Sequence, residues 1–255
     1  MATKREGSAV AELDPGAAIA GPKLIVAGGR GKGGKTTLMR WAIEQSLARG
    51  GEPVIADADR TNSTLTAFFE AAQRPPSAGN EDVRLWLNAL VDTQIEKRHT
   101  IYLDLGGGDL MLRQWSRELD LARFLASYDI TPVLLHMLGS DVDDVAYLRT
   151  LEEVFAPAHT AIVLNEGTVP SGRSPQSAFA AVVERPEFQA AVSRGAKVLG
   201  MPRLGCMSEV DRRRLSFAAA ADRSAKALPP TMQQAVQLWL REMPVALAPI
   251  LEWII

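Results

Sequence analysis

A chain of 255 residues with 47% apolar, 23% charged and 6% aromatic side chains has the composition of a globular protein with a sizeable core, which excludes a disordered tail, a collagen-like rod and a disulfide scaffold. Lys plus Arg number 28 and Asp plus Glu 30, so the net charge of −2 gives no global attraction to nucleic acid or an acidic membrane; such a partner needs a local patch. Cys206 is the single cysteine and His99, His136 and His159 lack metal-ligand spacing, so a reducing, cytoplasmic setting is expected. Glu12, Asp14 and Pro15 interrupt any signal-like apolar segment at the N-terminus, and no apolar run reaches the ~18 residues needed to span a bilayer.

Residues 1–21 are Ala- and Gly-rich without hydrophobic period and are expected to form a flexible extension. Six short apolar runs follow: Leu24-Ile25-Val26-Ala27, Val54-Ile55-Ala56-Asp57, Ile101-Tyr102-Leu103-Asp104, Val133-Leu134-Leu135-His136, Ala161-Ile162-Val163-Leu164-Asn165 and Val198-Leu199-Gly200-Met201. Continuous apolar character predicts strands buried on both faces. Between the first two, Met39, Ile43 and Leu47 recur at helical spacing before the stop signal Gly50-Gly51. Further helical stretches are read at 61–72, 82–97, 111–126, 142–156, 207–221 and 231–242, whereas 167–177 reads as a loop. The alternation predicts an α/β fold, a mostly parallel twisted sheet with helices on both faces and ligands at the carboxyl ends of its strands. One domain over 22–230 is expected, followed by an apolar helix and tail over 231–255.

After the first run comes Gly28-Gly29-Arg30-Gly31-Lys32-Gly33-Gly34-Lys35-Thr36-Thr37, which from Gly29 satisfies G-x-x-x-x-G-K-[ST] between a strand and a helix. Glycines let successive N–H groups turn inward around a phosphate, and the helix N-terminus adds its positive end. Lys35 is placed to reach the β- and γ-phosphates and Thr36 to bind Mg²⁺. The competing reading is a glycine turn that merely joins strand to helix. Asp104, before Leu105-Gly106-Gly107-Gly108, stands where a metal-binding carboxylate at a sheet edge is expected. Asp57 and Asp59 close the second run, and alternation along an extended chain aims only one of them at the phosphates. The alternative is that these aspartates cap the next helices.

These residues resemble the ParA/MinD family of P-loop ATPases, whose deviant loop reads K-G-G-x-G-K-[ST]-T and aligns with Arg30 to Thr37. The likeness runs through most of 23–225 and points to the plasmid-partition and conjugative-transfer branch with its TraL- and StbB-like proteins. The resemblance implies a Mg·ATP-dependent homodimer. It implies that Asp59, 24 residues beyond Lys35, orients the attacking water, with Asp57 and Asp104 joining Thr36 on the metal side. It further implies that the first loop cation acts across the dimer. That cation is Arg30 here, while Lys32 replaces a usual glycine and is the other candidate for the same role. Gly29, Gly31, Gly33, Gly34 and Thr37 complete the cradle. Asn165 and the backbone at Pro202 are implied to meet the adenine, and Thr168 stands where many GTPases carry a guanine-binding aspartate, which favours ATP over GTP.

The stretch 203–226 holds six Lys or Arg against three Asp or Glu. Arg212, Arg213 and Arg214 within it are either a non-specific DNA contact through phosphates or a solvated helix face. Residues 228–255 are apolar, with Arg241, Glu242 and Glu252 their only charges, too few basic groups for a membrane-surface helix. They are expected to pack on their own domain or to meet a protein partner. The function expected is an ATP-driven dimerising switch, with slow, partner-stimulated hydrolysis, that positions, partitions or helps transfer cargo, plasmid DNA foremost. The alternatives are a small-molecule kinase or ligase on the same scaffold, which needs a pocket beside the γ-phosphate, and a non-hydrolysing nucleotide-dependent adaptor.

Overall fold

The computed structural model describes residues 19–60, 65–106 and 110–255. All six apolar runs are strands: β1 (Lys23–Gly28), β2 (Val54–Ala58), β3 (Ile101–Leu105), β4 (Thr131–Leu138), β5 (His159–Asn165) and β6 (Lys197–Met201). They form one parallel sheet in the order β2-β3-β1-β4-β5-β6. Period-2 alternation divides each central strand between two cores. Ile25 and Ala27 of β1, with Val133 and Leu135 of β4, face one cluster, and Leu24 and Val26, with Leu134, face the other. Both faces are therefore covered, which is why these strands read as unbroken apolar runs.

The first core holds α1 (Lys35–Ala48) and the C-terminal helices α10 (Pro230–Ala246) and α11 (Leu251–Ile254), and the second holds α2 (Asn80–Lys97), α3 (Leu110–Leu119) and α4 (Leu121–Ala126). In α1, Met39 and Ile43 are buried as the spacing predicts, but Leu47 is exposed, because the inward face is continued by Leu38, Trp41 and Ala42. The 111–126 stretch is two helices rather than one, broken where Asp120 adopts φ +48°. Stretch 142–156 becomes a 3₁₀ turn and α5 (Val145–Glu152). The stretch 61–72 is not a helix among the described residues: it makes one 3₁₀ turn at Leu65–Ala67 and then returns to β2, where Gln73 N–H donates to the Ile55 carbonyl at 2.8 Å.

Two helices lie where none was read, α6 (Pro175–Val183) and α7 (Pro186–Ser193). Each starts at a proline, and the Ser174 hydroxyl accepts from Ser177 N–H to cap the first. Stretch 207–221 divides into α8 (Met207–Arg212) and α9 (Phe217–Ala221).

The apolar C-terminal stretch packs on its own chain. Val236, Trp239 and Met243 of α10, then Leu247, Ile250 and Ile254, all belong to the first core. Lys23, itself buried, donates from Nζ to the carbonyls of Glu252 (2.7 Å) and Ile255 (3.0 Å), and the Tyr102 hydroxyl donates to the Ile254 carbonyl at 2.6 Å. No described helix is long and apolar enough to cross a membrane.

His136 on β4 is 1% exposed and neither ring nitrogen has a hydrogen-bond partner; Glu152 Oε1 lies 4.0 Å from Nε2, and the same carboxylate is ion-paired to Arg194 through Oε2. Burial, followed by the nearby Arg194 charge, drives its pKa down to about 3. The unfolded chain takes up a proton below its ordinary value of about 6.5 while the folded chain does not, so stability falls as pH drops from 6.5 toward 3. His136→Leu is expected to stabilise the fold by about 1 kcal/mol at pH 7.5 by removing the unmet polar atoms. The gain should widen by roughly 1.4 kcal/mol per pH unit below 6.5, as read from urea midpoints at pH 7.5 and 5.5. A variant less stable than wild type at both pH values would contradict this reading.

Candidate nucleotide-binding site

β1 ends at the centre of the sheet, and the chain between it and α1 folds into a tight loop at the carboxyl edge. Gly29 and Gly34 have φ of +132° and +93°. A Cβ on Gly29 would stand 2.5 Å from the Met137 carbonyl oxygen, and one on Gly34 2.4 Å from Asn165 Nδ2, so both positions demand glycine. The loop is closed by a Gly33 N–H bond to the Arg30 carbonyl at 3.2 Å, while Gly31 at its tip has open space around it. Lys32 takes φ +64° and is exposed, a left-handed conformation that glycine would hold with less strain.

Lys35, 7% exposed, directs Nζ into the loop and donates to the carbonyls of Gly29 (3.2 Å) and Arg30 (3.0 Å). The Thr36 hydroxyl donates to Asp104 Oδ2 at 2.7 Å. Asp104 is 1% exposed and its other oxygen, Oδ1, has no hydrogen-bond partner. Burial, against the opposing Thr36 hydrogen bond and Lys35 charge, pushes its pKa up to about 6. An orphaned, buried carboxylate oxygen beside a threonine hydroxyl and a lysine suits a hard divalent cation such as Mg²⁺.

Asp57 and Asp104 are register partners on β2 and β3. Both oxygens of Asp57 accept main-chain N–H groups, Oδ1 from Asp59 at 3.2 Å and Oδ2 from Thr66 at 3.0 Å, and burial raises its pKa. Asp57, expected among the metal ligands, shapes the turn that carries Asp59, and Asp104 is the carboxylate bonded to Thr36. Gly107 and Gly108 lie outside the described residues.

Asp104→Asn tests the electrostatic balance. The folded chain keeps Asp104 ionised above about pH 6 against an ordinary value of 3.8, at a cost on the order of 2–3 kcal/mol that vanishes below pH 4, where both states are protonated. The substitution is expected to raise thermal stability at pH 7.5, with the gain fading toward pH 4, while abolishing the Mg²⁺ dependence of nucleotide binding. Calorimetric melting at the two pH values checks the first part and titration with and without EDTA the second.

On the other side of the loop, a cleft of roughly 260 Å³ brings together Lys32, Gly34, Thr37, Asn165 and Pro202, five positions 170 residues apart in sequence at the extremes. Asn165 does not present a free amide to it: Nδ2 donates to the Gly33 carbonyl at 3.0 Å and Oδ1 accepts from Gly167 N–H at 2.9 Å. These two bonds brace the phosphate loop and the turn after β5. Pro202 is held through its carbonyl by Trp239 Nε1 at 2.9 Å. Thr168 is likewise engaged, donating to the Asn165 carbonyl and accepting from Ser140 N–H.

Arg30, expected to act across a dimer, also has partners in its own chain. It is bound within its own chain, Nη1 lying 3.2 Å from both Asp141 Oδ2 and Asp144 Oδ1. Asp144 is nearly buried and also accepts from Gly139 N–H at 2.7 Å, so it is the fixed half of the clamp. Neither aspartate was singled out from sequence, although an acidic run just past the end of β4, at the ligand edge of a parallel sheet, is a usable signal.

The basic triplet is largely engaged too. Arg212 and Arg213 both bond Glu209, and Arg213 adds the Ala227 carbonyl at 2.7 Å. The preceding Asp211 is tied to buried Arg40 of α1 at 2.6 Å, whose guanidinium lies 3.3 Å from the centre of the Phe68 ring. The solvated, ion-paired helix face is therefore the arrangement seen for Arg212 and Arg213.

Neither a family model nor a curated protein matches the sequence. Among solved structures, MinD in the MinC:MinD cell division protein complex of Aquifex aeolicus is similar with a TM-score of 0.51 and 13% identity, over 86% of this chain and 95% of that one. FtsY of Thermotoga maritima (TM-score 0.48, 14% identity, 90% of this chain and 72% of that one) and chloroplast FtsY of Physcomitrella patens (0.46, 15%, 71% and 58%) are also similar. The chain spans 58% of the chloroplast protein's length. What the Aquifex likeness shows is the fold: the chain is an α/β protein with the parallel-sheet architecture of P-loop NTPases.

Proposed function

We propose that this chain is an ATP-dependent, dimerising switch of the ParA/MinD kind, of the partition and transfer branch, which hydrolyses ATP slowly and positions, partitions or helps transfer cargo. The observation that carries the reading is the convergence of Lys35, Thr36 and Asp104 at one glycine loop, with a buried carboxylate oxygen left unbonded. Thr36 and Asp104 would hold Mg²⁺, which when bound neutralises phosphate charge. Lys35 exchanges its loop carbonyls for phosphate oxygens, Asp59 orients the water, and the backbone N–H groups of 29–36 cradle the phosphates. Arg30 reaches a second nucleotide only after leaving Asp141 and Asp144, so the clamp sets a threshold for dimer closure. The adenine choice is supported by Thr168, whose hydroxyl is already bonded on both sides and which offers no carboxylate to guanine. The Aquifex protein occurs with MinC, and a protein partner is the natural counterpart here; a DNA partner would have to rely on Arg214 and the scattered basic residues around it.

A second reading, a small-molecule kinase or ligase, is favoured by one observation, a separate cavity bordered by Gly28 and Gly29. Titration with Mg·ATP and Mg·GTP, followed by phosphate release, tests the first reading. ATP is expected to bind about tenfold tighter than GTP, with slow release that Asp59→Ala removes. Equal binding of GTP, or release untouched by Asp59→Ala, would contradict it.

A further inference from the structure

Where β1 and β3 end, a cavity of roughly 270 Å³ opens between α3 and α5. It is distinct in composition from the cleft beside Asn165. Leu105, Leu110, Leu112 and Leu151 supply apolar wall, and Leu110 (68% exposed) and Tyr147 (36%) are large apolar side chains left facing water beside it. Arg113 on α3 is the one charged residue among its described lining residues, which include no carboxylate. Its Nε is buried without a hydrogen-bond partner. A guanidinium stays charged at any physiological pH, and a buried N–H without an acceptor is unfavourable, so the cavity is complementary to a ligand that brings one anion and little else that is polar.

We infer that this cavity binds a small amphiphilic monocarboxylate, its carboxylate on Arg113 and its hydrocarbon body against the leucines. A planar carboxylate matches the guanidinium fork with two parallel hydrogen bonds, and the volume, just under the usual range for ligand pockets, suits a body of roughly six to ten carbons. One wall is the main chain of Gly28 and Gly29, so the ligand lies against the strand end from which the phosphate loop springs. The assignment stands whether the nucleotide site drives a dimer or a transfer reaction.

Calorimetric titration of the full chain with octanoate and with octan-1-ol tests this. Octanoate should bind one per chain, about tenfold more tightly than the alcohol, and should remain bound in saturating Mg·ADP. Arg113→Met, which keeps the apolar stem, should lower octanoate to the alcohol's affinity and leave the alcohol unchanged. Ala146→Trp, an exposed position on α5 beside the cavity, should block both ligands, and Arg113→Lys should restore part of the preference. Unaltered melting temperatures establish that the variants are folded. Octanoate binding indifferent to Arg113→Met, absent from the folded wild type, or displaced by Mg·ADP would overturn the assignment.

Discussion

Lys35→Ala should lose nucleotide triphosphate affinity by about a hundredfold or more while the chain stays folded. The ammonium is nearly buried and already aimed into the loop by the Gly29 and Arg30 carbonyls, so little ordering is left to do when phosphate oxygens take their place. Two charge-assisted hydrogen bonds at roughly 1.5–3 kcal/mol each set the scale of the loss. Removing the side chain also takes the Lys35 donor from the Gly29 carbonyl and leaves the Arg30 carbonyl with the Gly33 N–H alone, which should cost about 1 kcal/mol of stability. Calorimetric titration with Mg·ATP measures the first effect and thermal melting the second. An affinity within threefold of wild type, on the scale of RT ln 3 or about 0.6 kcal/mol, would remove Lys35 from the site.

Trp239→Ala is expected to cost about 3–5 kcal/mol of folding stability, as for other fully buried large-to-small changes. Trp239 is 2% exposed, packs 4.8 Å from the Phe217 ring at a 49° tilt, and joins α10 to the strand-β6 loop through the Pro202 carbonyl. Trp239→Phe narrows the cause: it keeps much of the apolar contact and removes the hydrogen bond with part of the ring volume, at about 1–3 kcal/mol. Because Pro202 borders the cleft beside Asn165, the phenylalanine variant should weaken ATP binding more than its stability loss explains. Urea unfolding of both variants, with ATP titration of the second, checks the pair of effects.

The sheet was readable because strands such as β1 and β4 are buried on both faces and so carry no polar interruption until the functional edge. The phosphate loop was readable for a local reason: glycine, lysine and threonine at fixed spacing act through the backbone of one short segment. Long-range partners were not. Nothing near Arg30 announces that Asp141 and Asp144, over a hundred positions away, will hold it, and Asn165 reads equally as a base contact or a brace until the loop is folded against it. The 61–72 stretch has Leu65, Phe68, Phe69 and Ala72 at helical spacing, but Asp57 accepts from Thr66 and β2 recruits Gln73, so the edge of the sheet wins over the helix. Within 167–177, which reads as a loop, Ser174 and Pro175 are turn residues that also start helices, and here they do the latter, as Pro186 does for α7. The apolar tail became intelligible only when the first core was seen to lack a cover without α10 and α11.

Sedimentation velocity of the full chain with Mg·ATP, Mg·ADP and no nucleotide tests the switch most directly. The account predicts a dimer with Mg·ATP alone, a monomer in the other two states, and a monomer throughout for Arg30→Ala and Lys35→Ala. Identical sedimentation of wild type in all three conditions would contradict it.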